Sequence, residues 1–226
     1  MSDPELASRL ARVDAAIADA ARAAGRDPAE LTRIVVTKFH PASLVRELAA
    51  LGVRDMGENR HQEARAKHDE LADLDLAWHF VGQLQSNKAR AVRAYAASVH
   101  SVDRASLVDA LAADDGRALD VFLELNLTED PGRGGVDPEA LEPLAERVLA
   151  APGLRLRGVM AVAPLGADPR GAFARVREAS ERLRRLAPEA TAISAGMSGD
   201  FAEAIAEGAT HLRIGTAITG DRPPRG

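Results

Sequence analysis

The chain has 226 residues, a length that suits one domain with a sizeable core or two small domains. Its net charge of −5 argues against a nucleic-acid partner, and the absence of cysteine excludes disulfides, thiolate metal sites and cysteine nucleophiles. No apolar run approaches the ~20 residues needed to span a bilayer. The N-terminal residues carry Asp3 and Glu5 and no apolar segment, so we expect no signal peptide. We therefore expect a cytoplasmic protein without a membrane or nucleic-acid partner.

Short apolar runs alternate with amphipathic stretches along the chain, so strands and helices can be predicted in order. A helix over 4–24 comes first, because Leu6, Leu10 and Val13 recur at helical spacing. Strands are predicted at 33–37, 53–56, 77–81, 98–102, 119–125, within 154–162, at 190–194 and at 210–214. Further helices are predicted at 42–51, 58–71, 87–96, 105–113, 138–150, 171–186 and 200–206.

The regular alternation of strands and helices predicts the fold class. Consecutive β-α units form a parallel sheet, and eight units in a chain of this length predict closure into a (β/α)₈ TIM barrel. The first helix is extra, and we expect one domain over residues 1–226. The alternative is an open doubly wound sheet, but no Gly-x-Gly-x-x-Gly opens a helix after a strand.

Lysine is scarce in this sequence, and one lysine stands where a strand ends. Of 29 basic residues only Lys38, Lys67 and Lys88 are lysines. A lysine amine can form a Schiff base, whereas an arginine guanidinium stays protonated and cannot. Side chains alternate along a strand, so Lys38 shares a face with Val36. If this face points inward, the Lys38 amine lies at the barrel mouth, where sites of TIM barrels lie. The alternative interpretation of Lys38 is a rim charge or an ion-pair partner.

The loops after the last two strands favour an anion. The loop from Ser194 to Ser198 runs directly into the predicted helix 200–206, and free backbone N–H groups at a helix start attract negative charge. Gly215 and Thr216 follow the last strand. Glycine has no side chain, so a ligand can approach its backbone N–H closely, and Thr216 adds a hydroxyl group. Barrels commonly bind phosphate between these two loops. Taken alone, Ser198 could be a helix cap and Gly215 a turn glycine.

Other polar residues near strand ends are less specific. Asn59 follows the second strand, His79 lies in the third and Arg213 lies in the last. Arg213 could form a structural ion pair, and His79 is more typical of a hydrogen-bonded core histidine than of a general base. The six histidines show no metal-ligand spacing, so no metal site is predicted.

Six sequence motifs in a fixed order resemble a known family. They are Val36-Thr-Lys38-Phe-His-Pro41, Gly57-Glu-Asn59-Arg-His-Gln62-Glu63, His79-Phe-Val-Gly82-Gln-Leu-Gln85-Ser-Asn87-Lys88, Gly158-Val-Met160, Ser194-Ala-Gly-Met-Ser198-Gly-Asp200 and Arg213-Ile-Gly215-Thr216-Ala-Ile. With them the chain, from Val36 to Arg222, resembles the pyridoxal phosphate homeostasis proteins, which are similar to the N-terminal barrel of alanine racemase.

This resemblance implies a cofactor and a set of residues that bind it. The cofactor is pyridoxal 5′-phosphate, held by Lys38 as an internal aldimine, with Arg213 beside the pyridine nitrogen. The cofactor-binding residues implied are Lys38, Asn59, Ser194, Ser198, Arg213, Gly215 and Thr216. The chain departs from the family pattern at Arg133, where a lysine is expected. If that lysine takes up the cofactor at a secondary site, Arg133 cannot do so by the same chemistry.

Three functions are compatible with these residues. The first is a non-catalytic carrier that buffers pyridoxal 5′-phosphate or delivers it to apo-enzymes, and the second is an amino-acid racemase. The third is a Schiff-base aldolase, which does not account for the six motifs. A racemase of this type resembles a two-base enzyme whose tyrosine comes from a second domain, whereas Tyr95 is the only tyrosine here. We therefore expect a monomeric carrier with no catalytic residue.

Overall fold

The computed structural model describes residues 4–130 and 132–221, whose strands form one closed parallel barrel. The strands are β1 Thr32–Val36, β2 Asp55–Glu58, β3 Ala77–Phe80, β4 Ser98–Val102, β5 Leu119–Glu124, β6 Leu154–Met160, β7 Ala192–Ser194 and β8 His211–Ile214. They follow one another around the barrel in chain order, and β8 pairs with β1 to close it. The predicted (β/α)₈ barrel is therefore confirmed, and the alternative of an open sheet is wrong.

Helices connect the strands and surround the barrel. The α-helices are α1 Pro4–Ala23, α2 Ala42–Ala50, α3 His61–Glu70, α4 Ala89–Arg93, α5 Ala105–Leu111, α6 Leu141–Ala150, α7 Pro169–Leu186, α8 Phe201–Ala206 and α9 Thr216–Thr219. Short 3₁₀ turns lie at Pro28–Glu30, Ser86–Lys88 and Pro138–Ala140. Within the described ranges, no helix combines the length and the apolar character that a bilayer crossing requires. Asp3 and Arg222, which entered the predictions, lie outside the described residues.

Several predicted boundaries are wrong by a few residues, and these differences affect the site. Glu58 belongs to β2, where it pairs with Phe80, and α3 begins only at His61. The helix predicted over 200–206 begins at Phe201. Helix α9, directly after β8, was not predicted at all. Pairing with neighbouring strands, which a local periodicity does not contain, decides where each strand ends.

The extra N-terminal helix α1 is confirmed, and it packs on the outside of the barrel against α8 and α9. Its apolar stripe includes Leu6 and Leu10, both buried. Burying a side chain of this size contributes about 1.5–3 kcal/mol. Arg9 donates from Nε to the carbonyl oxygen of Ile218 at 2.7 Å, which ties α1 to α9.

The apolar core is divided between two layers. Most of it lies between the strands and the surrounding helices. A small apolar cluster, Phe122, Met160 and Ala192, is separate from it. Other buried strand residues are polar, including His100 on β4 and Arg213 on β8. Buried polar groups of this kind need hydrogen-bond partners.

Candidate functional site

The predicted residues converge on one cavity at the carboxyl ends of the strands. The cavity has a volume of about 400 Å³, which lies within the usual range for small-molecule sites. Six of the seven predicted residues line it, namely Lys38, Asn59, Ser198, Arg213, Gly215 and Thr216. Ser194, the seventh, does not line the cavity but binds the Arg213 side chain. The structure therefore brings all seven together, while their role in holding a cofactor stays a prediction.

Lys38 lies two residues beyond the end of β1, because the strand ends at Val36 and not at Thr37 as the sequence predicted. It is exposed, and it forms no ion pair with any residue in the ranges that the structure describes. The next residue, Phe39, has a positive φ of 71°, a conformation rare outside glycine. This turn lets the chain leave the barrel while the lysine stays at the cavity.

A buried ionic cluster beneath this turn fixes its backbone. Lys67 donates from Nζ to the carbonyl oxygen of Thr37 at 2.8 Å, to Glu58 Oε1 at 2.6 Å and to Glu63 Oε1 at 2.8 Å. Thr37 also donates its hydroxyl proton to Glu58 Oε1, and Phe39 donates its backbone N–H to Glu63 Oε1. Both residues that flank Lys38 are thus held by the cluster.

Sequence reasoning missed the role of Lys67. The side chain is buried, although lysine is almost never buried without a partner. Burial raises the pKa of Glu58, and the Lys67 ammonium opposes this rise. The i, i+4 spacing of Glu63 and Lys67 on a helix was the one signal in the sequence, and it is more typical of a solvated pair.

The loops after β7 and β8, where the sequence predicts an anion, form one end of the cavity. Ser198 lies near the start of α8 as predicted, three residues before a helix that begins one residue later than expected. Its hydroxyl oxygen accepts from the backbone N–H of Ala217 in α9, at 3.5 Å. Gly215 caps the start of α9 and Thr216 is its first residue. The two loops therefore meet at the cavity, with a hydroxyl from each.

Arg213 is buried beside the cavity as a fixed cation. It donates from Nη1 to Ser194 Oγ at 2.6 Å and from Nη2 to the carbonyl oxygen of Ala161 at 2.8 Å. Burial lowers the pKa of Arg213 to about 10, against the raising effect of Glu124 and Asp200, so the guanidinium remains charged at neutral pH. No carboxylate in the described part of the chain forms a salt bridge with it, so the interpretation of Arg213 as an ion-pair residue is wrong.

Glu124, at the end of β5, was not predicted from the sequence. Burial raises the pKa of its carboxyl to about 7, the charge of Asp103 adds to this rise and the charge of Arg213 opposes it. Its Oε2 atom is buried without a hydrogen-bond partner among residues 4–130 and 132–221. Glu124 is therefore an ionisable group near the cationic side of the cavity.

Asn59 and Gly82 form the opposite wall. The side-chain oxygen Oδ1 of Asn59 is buried and has no hydrogen-bond partner among the described residues. A Cβ atom at Gly82 would lie 2.8 Å from the Cα of Asn59, closer than real contacts allow. Glycine at position 82 is therefore required for Asn59 to line the cavity.

Two other residues discussed from the sequence lie away from this cavity. Tyr95 is buried and stacks on His61 with ring centroids 5.9 Å apart. Arg133 lies in the loop after β5, where its carbonyl oxygen accepts from Asn126 Nδ2 at 3.1 Å. Neither residue lines the cavity. A larger cavity of about 660 Å³ lies near the same loop, against α7, and contains no lysine amine.

Fold and site together define the class of protein: a closed (β/α)₈ barrel with an amine and a buried guanidinium at its mouth. The family described as "Alanine racemase, N-terminal domain" matches residues 10–223. An alanine racemase from Corynebacterium glutamicum shares the fold with a TM-score of 0.73 at 18% identity. The matched region spans 98% of this chain and 62% of that protein.

Proteins of the same length as this chain are much more similar to it. A pyridoxal phosphate homeostasis protein of Pseudomonas aeruginosa is 45% identical over 96% of both chains, and one of Escherichia coli is 36% identical over 96% of this chain and 97% of that one. PipY of Synechococcus elongatus, solved with pyridoxal 5′-phosphate (PLP) bound, has a TM-score of 0.83 and 39% identity. The matched region spans 95% of this chain and 100% of the PipY chain. The chain belongs to the pyridoxal phosphate homeostasis protein family, which confirms the resemblance seen in its motifs.

Proposed function

We propose that this protein binds pyridoxal 5′-phosphate (PLP) and buffers or delivers it, and that residues 1–226 form one PLP-binding domain. One observation carries the proposal: a single cavity gathers a primary amine, a buried guanidinium and two loops that each bring a hydroxyl group. PLP offers an aldehyde, a pyridine nitrogen and a phosphate, which match these three groups. The relatives named for PLP homeostasis, and the PLP-bound structure of PipY, support the same ligand.

Each residue of the cavity has a proposed task. The Lys38 amine condenses with the PLP aldehyde, which forms a C=N bond and releases one water molecule. Ser198, Gly215 and Thr216 bind the phosphate through hydroxyl and backbone N–H groups. Arg213 lies at the pyridine nitrogen, with Ser194 holding it, and Asn59 contacts the ring. PLP bound to a protein can stabilise negative charge on an attached amino acid.

The same residues favour a carrier over an enzyme. A racemase needs a base on each side of its substrate. Lys38 and Arg213 are the titratable side chains among the described residues that line the cavity. Tyr95 points into a different part of the core, against His61. Arg213, which stays protonated, donates to the ring nitrogen instead of protonating it, and this weakens PLP as an electron sink.

We further propose that the protein works as a monomer in the cytoplasm and delivers PLP to apo PLP-dependent enzymes. The cavity lies at the open end of the barrel, so its ligand can leave without unfolding of the domain. The absence of cysteine is compatible with a reducing compartment. Light scattering of the PLP-loaded protein tests the monomer, and a mass of two chains would contradict it.

The test of the proposal is labelling with PLP. The purified protein is incubated with PLP, its visible absorption is recorded, and borohydride reduction is followed by peptide mapping. We expect a yellow chromophore and a label on Lys38. Lys38→Ala should lose both, whereas Lys88→Ala, at an exposed lysine outside the cavity, should keep both. A label on Lys67 or Lys88 with Lys38 unmodified would refute the assignment.

Delivery is tested separately from binding. The PLP-loaded protein is mixed with an apo PLP-dependent enzyme while a scavenger removes free PLP. Activation of the apo-enzyme faster than the loaded protein releases PLP to the scavenger supports direct delivery. Activation no faster than that release leaves buffering and contradicts delivery.

A further inference from the structure

A chain of buried hydrogen bonds crosses the inside of the barrel, from Arg213 at the cavity to the other end of the strands. Its members, called here the interior chain, are Arg213, Ser194, His100, Ser98, His79 and Asp55. Asp55 is the first residue of β2 and thus lies at the end of the barrel opposite the cavity. The PLP site as proposed above uses the first two members and leaves the other four unexplained.

Distances along the interior chain are all within hydrogen-bond range. The Arg213 guanidinium is 2.6 Å from Ser194 Oγ, which is 2.8 Å from His100 Nδ1. On the other side of that imidazole, His100 Nε2 is 2.9 Å from Ser98 Oγ. Ser98 Oγ is 2.7 Å from His79 Nδ1, and His79 Nε2 is 2.9 Å from Asp55 Oδ1.

When each imidazole carries a single proton, the accepting carboxylate of Asp55 fixes the direction of the hydrogen bonds in the interior chain. A guanidinium can only donate, and an ionised carboxylate can only accept. Because the Nε2 atom of a neutral His100 donates on its other side, its Nδ1 atom presents a lone pair, and Ser194 donates its hydroxyl proton there while its oxygen accepts from Arg213. Neutral His100 then carries its proton on Nε2 and donates it to Ser98 Oγ at 2.9 Å, with His79 Nδ1 at 3.2 Å from the same nitrogen as a second acceptor.

The remaining bonds follow in the same direction. Ser98 donates its hydroxyl proton to His79 Nδ1, and His79 donates from Nε2 to Asp55. The arrangement needs His100 to be neutral, and complete burial lowers its pKa well below the ordinary value. Its ring also stacks on Phe122 with centroids 4.3 Å apart, which restrains a flip. Each imidazole of the interior chain thus has one tautomer, and each serine hydroxyl has one orientation.

We propose that Asp55 is a positioning residue for Arg213, acting through the interior chain. The accepting carboxylate at the far end commits the Ser194 proton to His100, so that only a Ser194 lone pair faces the guanidinium. Without the Asp55 carboxylate, the hydrogen bonds of the interior chain can reverse their direction. The Ser194 hydroxyl proton would then point at Arg213 and repel its guanidinium. The interior chain is a property of the cofactor-free protein, while its consequence for the pyridine ring rests on the proposed function.

The first test measures tautomers in the cofactor-free protein labelled with ¹⁵N-histidine. We expect His100 and His79 both neutral, with the proton on Nε2 and an accepting Nδ1. Asp55→Ala should give a mixture of tautomers at His79, whereas Asp55→Asn, which keeps an accepting oxygen, should retain the wild-type signals. A proton on His100 Nδ1 in the wild-type protein would overturn the proposal.

The second test follows Arg213 itself, again without cofactor. Loss of about one net hydrogen bond in Asp55→Ala should speed exchange of the Arg213 guanidinium protons by roughly two- to tenfold. The matched control is Asp120→Ala, since Asp120 lies near the same end of the barrel on β5 and pairs with Arg155 outside the interior chain. It should leave the exchange unchanged. Equal exchange in the wild type and Asp55→Ala would overturn the positioning role.

A third measurement connects the interior chain to the ligand. Asp55→Ala should weaken PLP and unphosphorylated pyridoxal by the same factor, roughly two- to tenfold, because the change acts on the ring and not on the phosphate. If the wild-type protein binds neither compound, the proposed function fails, and the tautomer and exchange results still decide the positioning role. A loss for PLP alone would contradict it.

Discussion

Replacing Lys67 with methionine removes the cation of the buried cluster beneath Lys38 and keeps a side chain of similar length. The variant leaves Glu58, only 1% exposed, without its cation, and it leaves the carbonyl oxygen of Thr37 without that donor. Removal of one partner from a buried ion pair typically costs about 3–5 kcal/mol, because the remaining charge is not compensated. A chain of this length loses about 2–4 °C in Tm for each kcal/mol, so the effect is large.

The effect of Lys67→Met should depend on pH in a defined direction. Burial already raises the pKa of Glu58, and the Lys67 ammonium opposes the rise, so the variant raises this pKa further. A carboxyl with a raised pKa binds more protons in the folded than in the unfolded state over the window between its two pKa values. The free energy of unfolding therefore falls as pH rises through this window. The window reaches higher pH in the variant.

Urea unfolding at several values between about pH 4 and pH 8 measures this difference. We expect the cost of Lys67→Met to be smallest at the acidic end, where Glu58 is protonated in both proteins, and largest at the alkaline end. Lys88→Met is the matched control at an exposed lysine, and it should change stability by less than about 0.5 kcal/mol. The double variant Glu58→Gln/Lys67→Met should recover part of the loss at alkaline pH. A loss that is independent of pH, or one below about 1 kcal/mol, would refute this account of the cluster.

Three further predictions concern the cavity. Ser198→Ala removes the hydroxyl group that we propose for phosphate binding. It should weaken PLP by roughly one to two decades, but pyridoxal hardly at all, in equilibrium titrations. Equal weakening of both compounds would reject this phosphate site. Gly82→Ala forces a Cβ against the Asn59 backbone and should destabilise the protein by about 1–3 kcal/mol in urea unfolding. The control Gly199→Ala, with open space around its Cβ, should not destabilise it. Equal stability of the two variants would contradict this account of the packing at Gly82. The PLP-loaded protein should racemise alanine or serine far more slowly than roughly 1 s⁻¹, measured by chiral chromatography and deuterium uptake at the α-carbon, and ordinary enzyme turnover would favour a racemase.

The order of elements and the cavity residues could be predicted from the sequence because both depend on local patterns. Eight apolar runs separated by amphipathic stretches allow one closed parallel arrangement, and in that arrangement strand ends meet at one mouth. Lys38, Ser198 and Arg213 were therefore expected near one another before any distance was known. Helix α9 was missed because its four residues carry no periodic signal.

The sequence could not predict which side chains bind one another. Lys67 looked like a surface residue on a polar helix, and its burial follows from Glu58, which belongs to a strand and not to that helix. His79 was expected to be a core histidine, which its buried hydrogen bonds confirm, but its partners could not be named. Asp55 and Ser98 are separated by 43 positions and carry no motif between them.

The sequence by itself determined the fold class, the family and the set of residues at the barrel mouth, because apolar periodicity and short motifs are local properties of the chain. Only the tertiary structure decided which lysine is exposed and which is buried, where Ser198 lies relative to α8, and how Arg213 is held. Closure of the barrel brings residues distant in sequence within 3 Å of one another, as His100 Nδ1 and Ser194 Oγ are at 2.8 Å. A buried polar group must find its partner wherever the fold places one, and that requirement acts through space and not along the chain.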